Sequence, residues 1–301
     1  MRFENQNRYK QYIPQESTRP FLPILMVKTD NAGATRLRPM MKDLRIVTLA
    51  LLIISCDAAD PNHTAMITAA PVCNDPGTVH DRKIEESIRG YAYYFQVYLP
   101  PCYETETERQ YPTIYLLPGQ GGGSRGWFTA GLAELADETI FSGQVPPFLI
   151  IATGNNDTDL LGEVVHEDLL PYVETHYRVL AERPYRAVAG GSLGGSRAYR
   201  LALTHPETFA SAGVFGNGLV PGDEGQLFEW IEKLTAEERP RFFFNTGLQD
   251  PYMLNLAEEM IDILDETGIE STSIFTTGGH DYGYWISNMP AYWRWVAEDW
   301  T

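Results

Sequence analysis

Basic side chains are scarce in this sequence: 23 Lys and Arg stand against 40 Asp and Glu, a formal net charge of −17. From Cys56 onward the imbalance sharpens to 14 basic against 36 acidic residues. A surface of that sign repels phosphate backbones, so nucleic acid is not expected as a partner and neutral or weakly charged substrates are. Cysteine is also scarce, with three in 301 residues. Neither Cys73 nor Cys102 has a histidine at metal-ligand spacing, so no zinc or other metal site is expected. No G-x-x-x-x-G-K-[ST] loop is present, which removes nucleotides from the expected ligands, and no organic cofactor is called for. No segment repeats, and none is of low complexity. What remains is 44% hydrophobic and 21% charged, the balance of an ordinary globular protein long enough for one large α/β domain.

The longest apolar stretch near the N-terminus is too short to span a bilayer. Met41-Lys42-Asp43-Leu44-Arg45 carries two basic residues, Ile46 to Ile54 is apolar apart from Thr48, and Ile53-Ile54-Ser55-Cys56 closes the run. That is the layout of a secretory leader. Its end resembles a bacterial lipobox, which makes Cys56 the candidate lipidation site and residues 41–56 a lipoprotein-type signal peptide. The competing reading is a buried strand or helix. Residues 1–40, polar and ahead of a natural-looking start at Met40 or Met41, are read as a misassigned extension, and residues 57–71 as a polar linker. The expectation is export to the cell envelope or beyond, with membrane contact only through the lipid. Cys73 and Cys102 then form an even pair, either bridged as an oxidising compartment favours or left as two thiols.

From residue 72 to 301 strand and helix signals alternate. Strands are expected at Tyr91–Leu99, Thr113–Leu117, Phe148–Thr153, Arg186–Ala189, Phe209–Phe215, Arg241–Thr246 and Ser271–Thr276. Helices are expected at Phe128–Phe141, Leu160–Tyr177 with a break at Pro171, Leu193–Thr204, Leu227–Leu234, Leu254–Glu266 ending at Gly268, and Trp285–Trp300. Continuous apolar strands alternating with amphipathic helices predict a mainly parallel sheet covered on both faces. Such sheets place ligands at the carboxyl ends of their strands.

Gly190-Gly191-Ser192-Leu193-Gly194-Gly195 satisfies G-x-S-x-G and lies between a predicted strand and a predicted helix, the context of a nucleophile elbow. The turn is tight enough that Gly190 and Gly194, two residues either side of Ser192, must be small. Serine needs a base to take its proton. Of six histidines, His63 and His80 lie outside or at the edge of the fold, and His166, His176 and His205 fall in or at the ends of helices. His280, in Gly278-Gly279-His280-Asp281, alone follows the last strand. Asp250 follows strand Arg241–Thr246 and is the candidate partner for the imidazole. Its competing role is the N-cap of a helix with Pro251 at its first position, and the two roles are expected to coexist only in part, since they want the same oxygens. Asp281 is expected to point away from the His280 ring. The order Ser192, Asp250, His280 is that of α/β-hydrolases. The oxyanion hole is expected from the N–H groups of Leu193 and Gln120, the latter in the glycine-rich loop Leu117-Pro118-Gly119-Gln120-Gly121.

These residues resemble the esterase D and feruloyl esterase branch of the α/β-hydrolases, the carbohydrate esterase family one type. The matching stretches are Val97-Tyr98-Leu99-Pro100, Tyr115 to Gly119, Leu170-Pro171-Tyr172-Val173, Gly190 to Gly195, and Gly278-Gly279-His280-Asp281 with Trp285. The branch includes acetyl- and feruloyl-xylan esterases, S-formylglutathione hydrolases, enterochelin esterases and mycolyltransferases. The resemblance implies an α/β-hydrolase fold, nucleophile Ser192, base His280, acid Asp250 and an oxyanion donor at Gln120. Many members carry His where this chain has Pro118, so the shape of that loop is where a difference is expected. Only about 25 residues separate strands Phe209–Phe215 and Arg241–Thr246, too few for a large lid, which suits bulky esters. Trp127, Tyr282 and Trp285 are the candidate substrate platform, with core or rim packing as their alternative. The expected activity is hydrolysis of small-molecule or oligosaccharide esters, acetyl or feruloyl. An acyltransferase with the same triad, a serine peptidase and a non-catalytic surface binding protein are the competing readings.

Overall fold

The computed structural model describes residues 73–154 and 161–300. The leader at 41–56 with Cys56, the extension at 1–40 and the linker at 57–71 lie outside them.

In chain order the elements are strands β1 (Thr78–Ile84), β2 (Tyr93–Leu99) and β3 (Thr113–Leu117), helices α1 (Ser124–Thr129) and α2 (Leu132–Phe141), and strand β4 (Leu149–Ala152). A helical stretch follows, made of α3 (Leu161–Glu163), a π-helical turn (Val164–Leu169) and α4 (Leu170–His176). Then come β5 (Arg186–Gly191), α5 (Leu193–Thr204), β6 (Ser211–Phe215), α6 (Glu224–Glu232), β7 (Arg241–Gly247), α7 (Pro251–Thr267), β8 (Ser271–Thr276) and α8 (Tyr282–Val296). The strands form one eight-stranded sheet in the order β1-β2-β4-β3-β5-β6-β7-β8. β2 pairs antiparallel with β1 and β4, and every other pairing is parallel. This is the α/β-hydrolase fold, with no large lid domain among the described residues.

Side-chain alternation divides each central strand between two cores. Tyr115 and Leu117 of β3, Val188 of β5 and Phe242 and Phe244 of β7 face the side covered by α4, α5, α6 and α7. Ile114 and Leu116, Ala187 and Ala189, and Phe243 face α1, α2 and α8. This is the period-two geometry of a strand buried on both faces. β5 and β6 are rich in small residues, and large rings of α8 lie across them: a Cβ on Gly213 would come within 2.8 Å of the Tyr292 ring.

Three elements differ from expectation. β1 was not foreseen, because Thr78–Ile84 is charged and lies at the sheet edge, half in solvent; lysine and arginine on an edge strand discourage pairing with other chains. The helix expected at Phe128–Phe141 is two, divided at Gly131, whose φ of +94° no helix interior accommodates. The expected break at Pro171 takes the form of a π-helical turn just before it. Pro171 has no N–H for the carbonyl one turn back, and widening the preceding turn relieves the mismatch. A disulfide joins Cys73 to Cys102, tying the chain ahead of β1 to the turn after β2.

Candidate active site

β5 delivers Ser192 to the carboxyl edge of the sheet, and α5 begins at the next residue. Ser192 has φ +54° and ψ −125°; with Cys102 it makes up the non-glycine residues at positive φ among the described residues. Such a conformation is strained for an L-residue and persists only where its surroundings impose it. Here they do. A Cβ on Gly190 would collide with the Gly194 backbone, and one on Gly194 with the Leu117 carbonyl. The Ser192 N–H donates to Phe215 O at 2.7 Å, and Asn217 Nδ2 donates to Ser192 O at 2.7 Å. The serine is thus clamped on both sides of its peptide plane, half-buried at the start of α5.

The loop after β3 lies against it. A Cβ on Gly119 would stand 3.3 Å from Ser192 Cβ, so only glycine brings this backbone so close without adjustment. Gly122 N–H donates to Gly119 O at 3.1 Å, and Gly121 at φ +70° completes the turn, leaving Gln120 at its exposed corner. Among the described residues neither the Gln120 nor the Leu193 N–H donates to a backbone carbonyl. Leu193 opens α5, where N–H groups lack intrahelical partners and the helix dipole favours negative charge.

Two further loops meet beside the serine. β7 ends at Gly247 and β8 at Thr276, and the loops beyond are clasped: Leu248 N–H donates to Thr276 O and Gln249 N–H to Gly278 O, both at 2.9 Å. Gly247 and Gly278 are backbone-on-backbone here, since a Cβ on Gly247 would collide with the Gly278 carbonyl. This brings His280 Nδ1 to 2.7 Å from Asp250 Oδ2. A carboxylate only accepts, so Nδ1 donates to it, and in a neutral imidazole the lone pair is then on Nε2. Asp250 also N-caps α7: Oδ1 accepts from Met253 N–H at 3.4 Å, with Pro251 at the first helical position. The capping and histidine roles therefore do not compete as expected, because each takes its own oxygen. Asp281 caps α8, its Oδ1 accepting from Tyr284 N–H at 3.0 Å.

His280 and Ser192 share neighbours rather than a hydrogen bond. Gly216, following β6 at φ +56°, lies against both His280 Nδ1 and the Trp285 indole, and the Trp285 ring in turn lies over Gly191. His280 meets Trp285 edge-on at 5.1 Å. Substrate-free sites commonly hold such contacts loosely and tighten them when substrate binds.

The expected aromatic platform is corrected in two of its three members. Trp127 and Trp285 are 0% and 3% exposed, and offer no face to a ligand in solution. Trp127 packs edge-on to Tyr282 at 4.8 Å and tilted on Trp285 at 6.0 Å, so the pair is a wedge under the loops. Burying two indoles this way contributes more than displaying them, at about 25 cal/mol per Å² of apolar surface. Tyr282 is half-buried beside Gly122 and Gly126, and burial raises its phenol above the ordinary value. Leu248 and Tyr252, which flank Asp250 in sequence, are large apolar side chains that do stand in solvent. Asn217 was not foreseen either. Its signal in the sequence was its place just past strand Phe209–Phe215, at the same sheet edge as the other site residues.

A family model for putative esterases matches residues 87–242, just over half of the chain. The chain belongs to the putative esterase family. The matched stretch holds Ser192 and the Gly119 loop, while Asp250 and His280 lie beyond it. An esterase of Mycobacterium tuberculosis is 32% identical over 176 residues, 54% of this chain and 37% of that protein. An endo-1,4-beta-xylanase/feruloyl esterase of Xylanibacter ruminicola is 27% identical over 144 residues, 42% of this chain and 20% of its own. The chain thus spans about a fifth to two-fifths of the length of these two relatives. Among solved structures, a ferulic acid esterase superposes with a TM-score of 0.66 at 20% identity, covering 76% of this chain and all of that one. A feruloyl esterase module from Clostridium thermocellum, complexed with sinapinate, superposes with a TM-score of 0.64 at 19% identity, covering 74% of this chain and 89% of its own. At these identities the likeness establishes the shared fold.

Proposed function

We propose that this chain is a serine carboxylic ester hydrolase in which Ser192 is the nucleophile, His280 the general base and Asp250 its orienting acid. The observation that carries the reading is the Asp250–His280 pair at 2.7 Å beside a serine held at φ +54° on a helix N-terminus. Ser192 Oγ attacks the ester carbonyl while His280 Nε2 takes its proton, and Asp250 holds the imidazolium that forms. The oxyanion rests on the N–H groups of Leu193 and Gln120. Alcohol departs with the proton from His280, and water repeats the sequence to release the acid.

The substrate class proposed is an acylated carbohydrate carrying acetyl or feruloyl groups. Membership in the putative esterase family and the feruloyl esterases among its relatives support it, as does the absence of a large lid. Exposed Leu248 and Tyr252, rather than the buried tryptophans, are the apolar surface such an acyl group would meet. The test has two stages. Short-chain nitrophenyl esters should be hydrolysed by the wild type and not by Ser192→Ala; equal rates would overturn the enzyme reading. Methyl ferulate and acetylated xylo-oligosaccharides should then be cleaved with higher kcat/KM than the simple esters, and a preference for the simple esters would remove the carbohydrate assignment.

Export is part of the same proposal. The Cys73–Cys102 disulfide fits an oxidising compartment, and lipidation at Cys56 would tether the domain. Fatty-acid labelling of the expressed protein that survives Cys56→Ser would rule the anchor out.

A further inference from the structure

At the end of α5 opposite Ser192 a second polar cluster forms. α5 spans 12 residues, so its two ends are about 18 Å apart. His205 caps the far end, Glu207 follows two residues later, and His166 comes from the π-helical turn packed beside it. The rings of His166 and His205 stack at 4.2 Å. His166 Nε2 and His205 Nδ1 each lie 3.6 Å from the same oxygen, Glu207 Oε1, and the three atoms all lie within 4.8 Å of one another.

From this geometry we propose that His166, His205 and Glu207 bind a divalent transition-metal ion of the zinc type. Zinc takes imidazole nitrogen at about 2.0–2.1 Å and carboxylate oxygen at about 2.0–2.2 Å, which makes the edge of its tetrahedron roughly 3.3–3.5 Å. Two of the three edges are already within a few tenths of an ångström of that, and the third is no more than 4.8 Å. Two neutral imidazoles and one carboxylate suit zinc rather than calcium or magnesium, which want oxygen ligands. Water completes the tetrahedron on the exposed side.

The surroundings orient the ligands as metal sites do. His166 Nδ1 lies 3.3 Å from Glu167 Oε1, the carboxylate–histidine arrangement that fixes which ring nitrogen faces the ion. The Thr208 hydroxyl donates to Glu207 Oε1 at 3.2 Å, and Arg183 donates to the Pro206 carbonyl between the ligands. No spacing in the sequence announces this site, since His166 lies 39 residues ahead of His205 and joins the neighbouring His205 and Glu207 only in the folded chain. An ion here would tie the far end of the nucleophile helix to the segment around Pro171. Its effect is on stability, and the ester chemistry some 18 Å away is left alone.

The test uses the full chain stripped with chelator and titrated with zinc alone. One zinc should bind per chain, and at a concentration near 100 times its Kd it should raise Tm by roughly 5–10 °C. Glu207→Gln, at a solvent-facing side chain that folding tolerates, should weaken zinc binding at least tenfold, and His205→Ala more. Nitrophenyl ester hydrolysis should be unchanged in both. Cobalt in place of zinc should give the visible absorption of a tetrahedral site, absent in His205→Ala. Zinc binding equally tight in Glu207→Gln, His205→Ala and wild type would place the ion elsewhere and overturn the proposal. So would a wild type that neither binds zinc nor shifts its Tm.

Discussion

Around Gly190–Gly195 the chain packs backbone on backbone, with no room for a Cβ at Gly190 or Gly194 and a serine forced to positive φ between them. Along the same rim, Asp250 and His280 sit on two loops joined by hydrogen bonds and open to solvent on one side. The first region is held by exclusion and the second by attraction. A collision cannot be partly satisfied, so the elbow is rigid and intolerant of mass. A hydrogen-bonded clasp admits small adjustments, which suits a base that must take a proton and give it back. The contrast predicts that changes in the elbow's glycines show up in folding, and changes in the rim's polar groups in rate.

Ser192→Ala gives the largest effect. It removes the attacking atom and leaves the backbone untouched, so kcat on nitrophenyl esters should fall about 10⁴–10⁶-fold with Tm within a few degrees of wild type. Asp250→Asn comes next. The amide keeps the shape but can present N–H to Nδ1 and favour the wrong tautomer, and kcat should drop about 10³–10⁴-fold. A cap contact of 3.4 Å to Met253 is a weak one, so the loss should be in rate; a fall mainly in Tm would blur the distinction between the two regions. Gly194→Ala reverses the pattern: its Cβ meets the Leu117 carbonyl, and unfolding measurements should show at least about 3 kcal/mol of destabilisation. A stable Gly194→Ala protein would mean that the elbow yields, contrary to its description here. Asp281→Ala is the smallest change. It loses the α8 cap but touches neither Asp250 nor the imidazole, and should cost about 1 kcal/mol in denaturant melts with kcat preserved.

How much of this was legible beforehand follows the range of the forces involved. The strand–helix alternation was readable because apolar periodicity is local. Gly190 and Gly194 were assigned the need to be small from the motif alone, and the structure supplies the carbonyls they avoid. β1 escaped notice because an edge strand satisfies its backbone on one side and needs no apolar run. The break at Gly131 escaped because the apolar periodicity of Phe128–Phe141 runs across it, although a glycine inside that stretch was itself the local signal. Trp127 and Trp285 follow the Gly119 loop and His280 in sequence, but which way an indole faces depends on what packs behind it, and both are buried.

The sequence by itself determined the alternation of strands and helices from β2 onward, the elbow and the short stretch between β6 and β7, because each follows from periodicity, from glycine at fixed offsets, or from chain length. Only the tertiary structure decided that the two oxygens of Asp250 divide between a helix cap and His280, that two tryptophans are buried beneath the loops, and that His166 meets His205 and Glu207. Those outcomes rest on contacts between residues tens of positions apart, and packing distances, unlike propensities, are not written in any local stretch of chain.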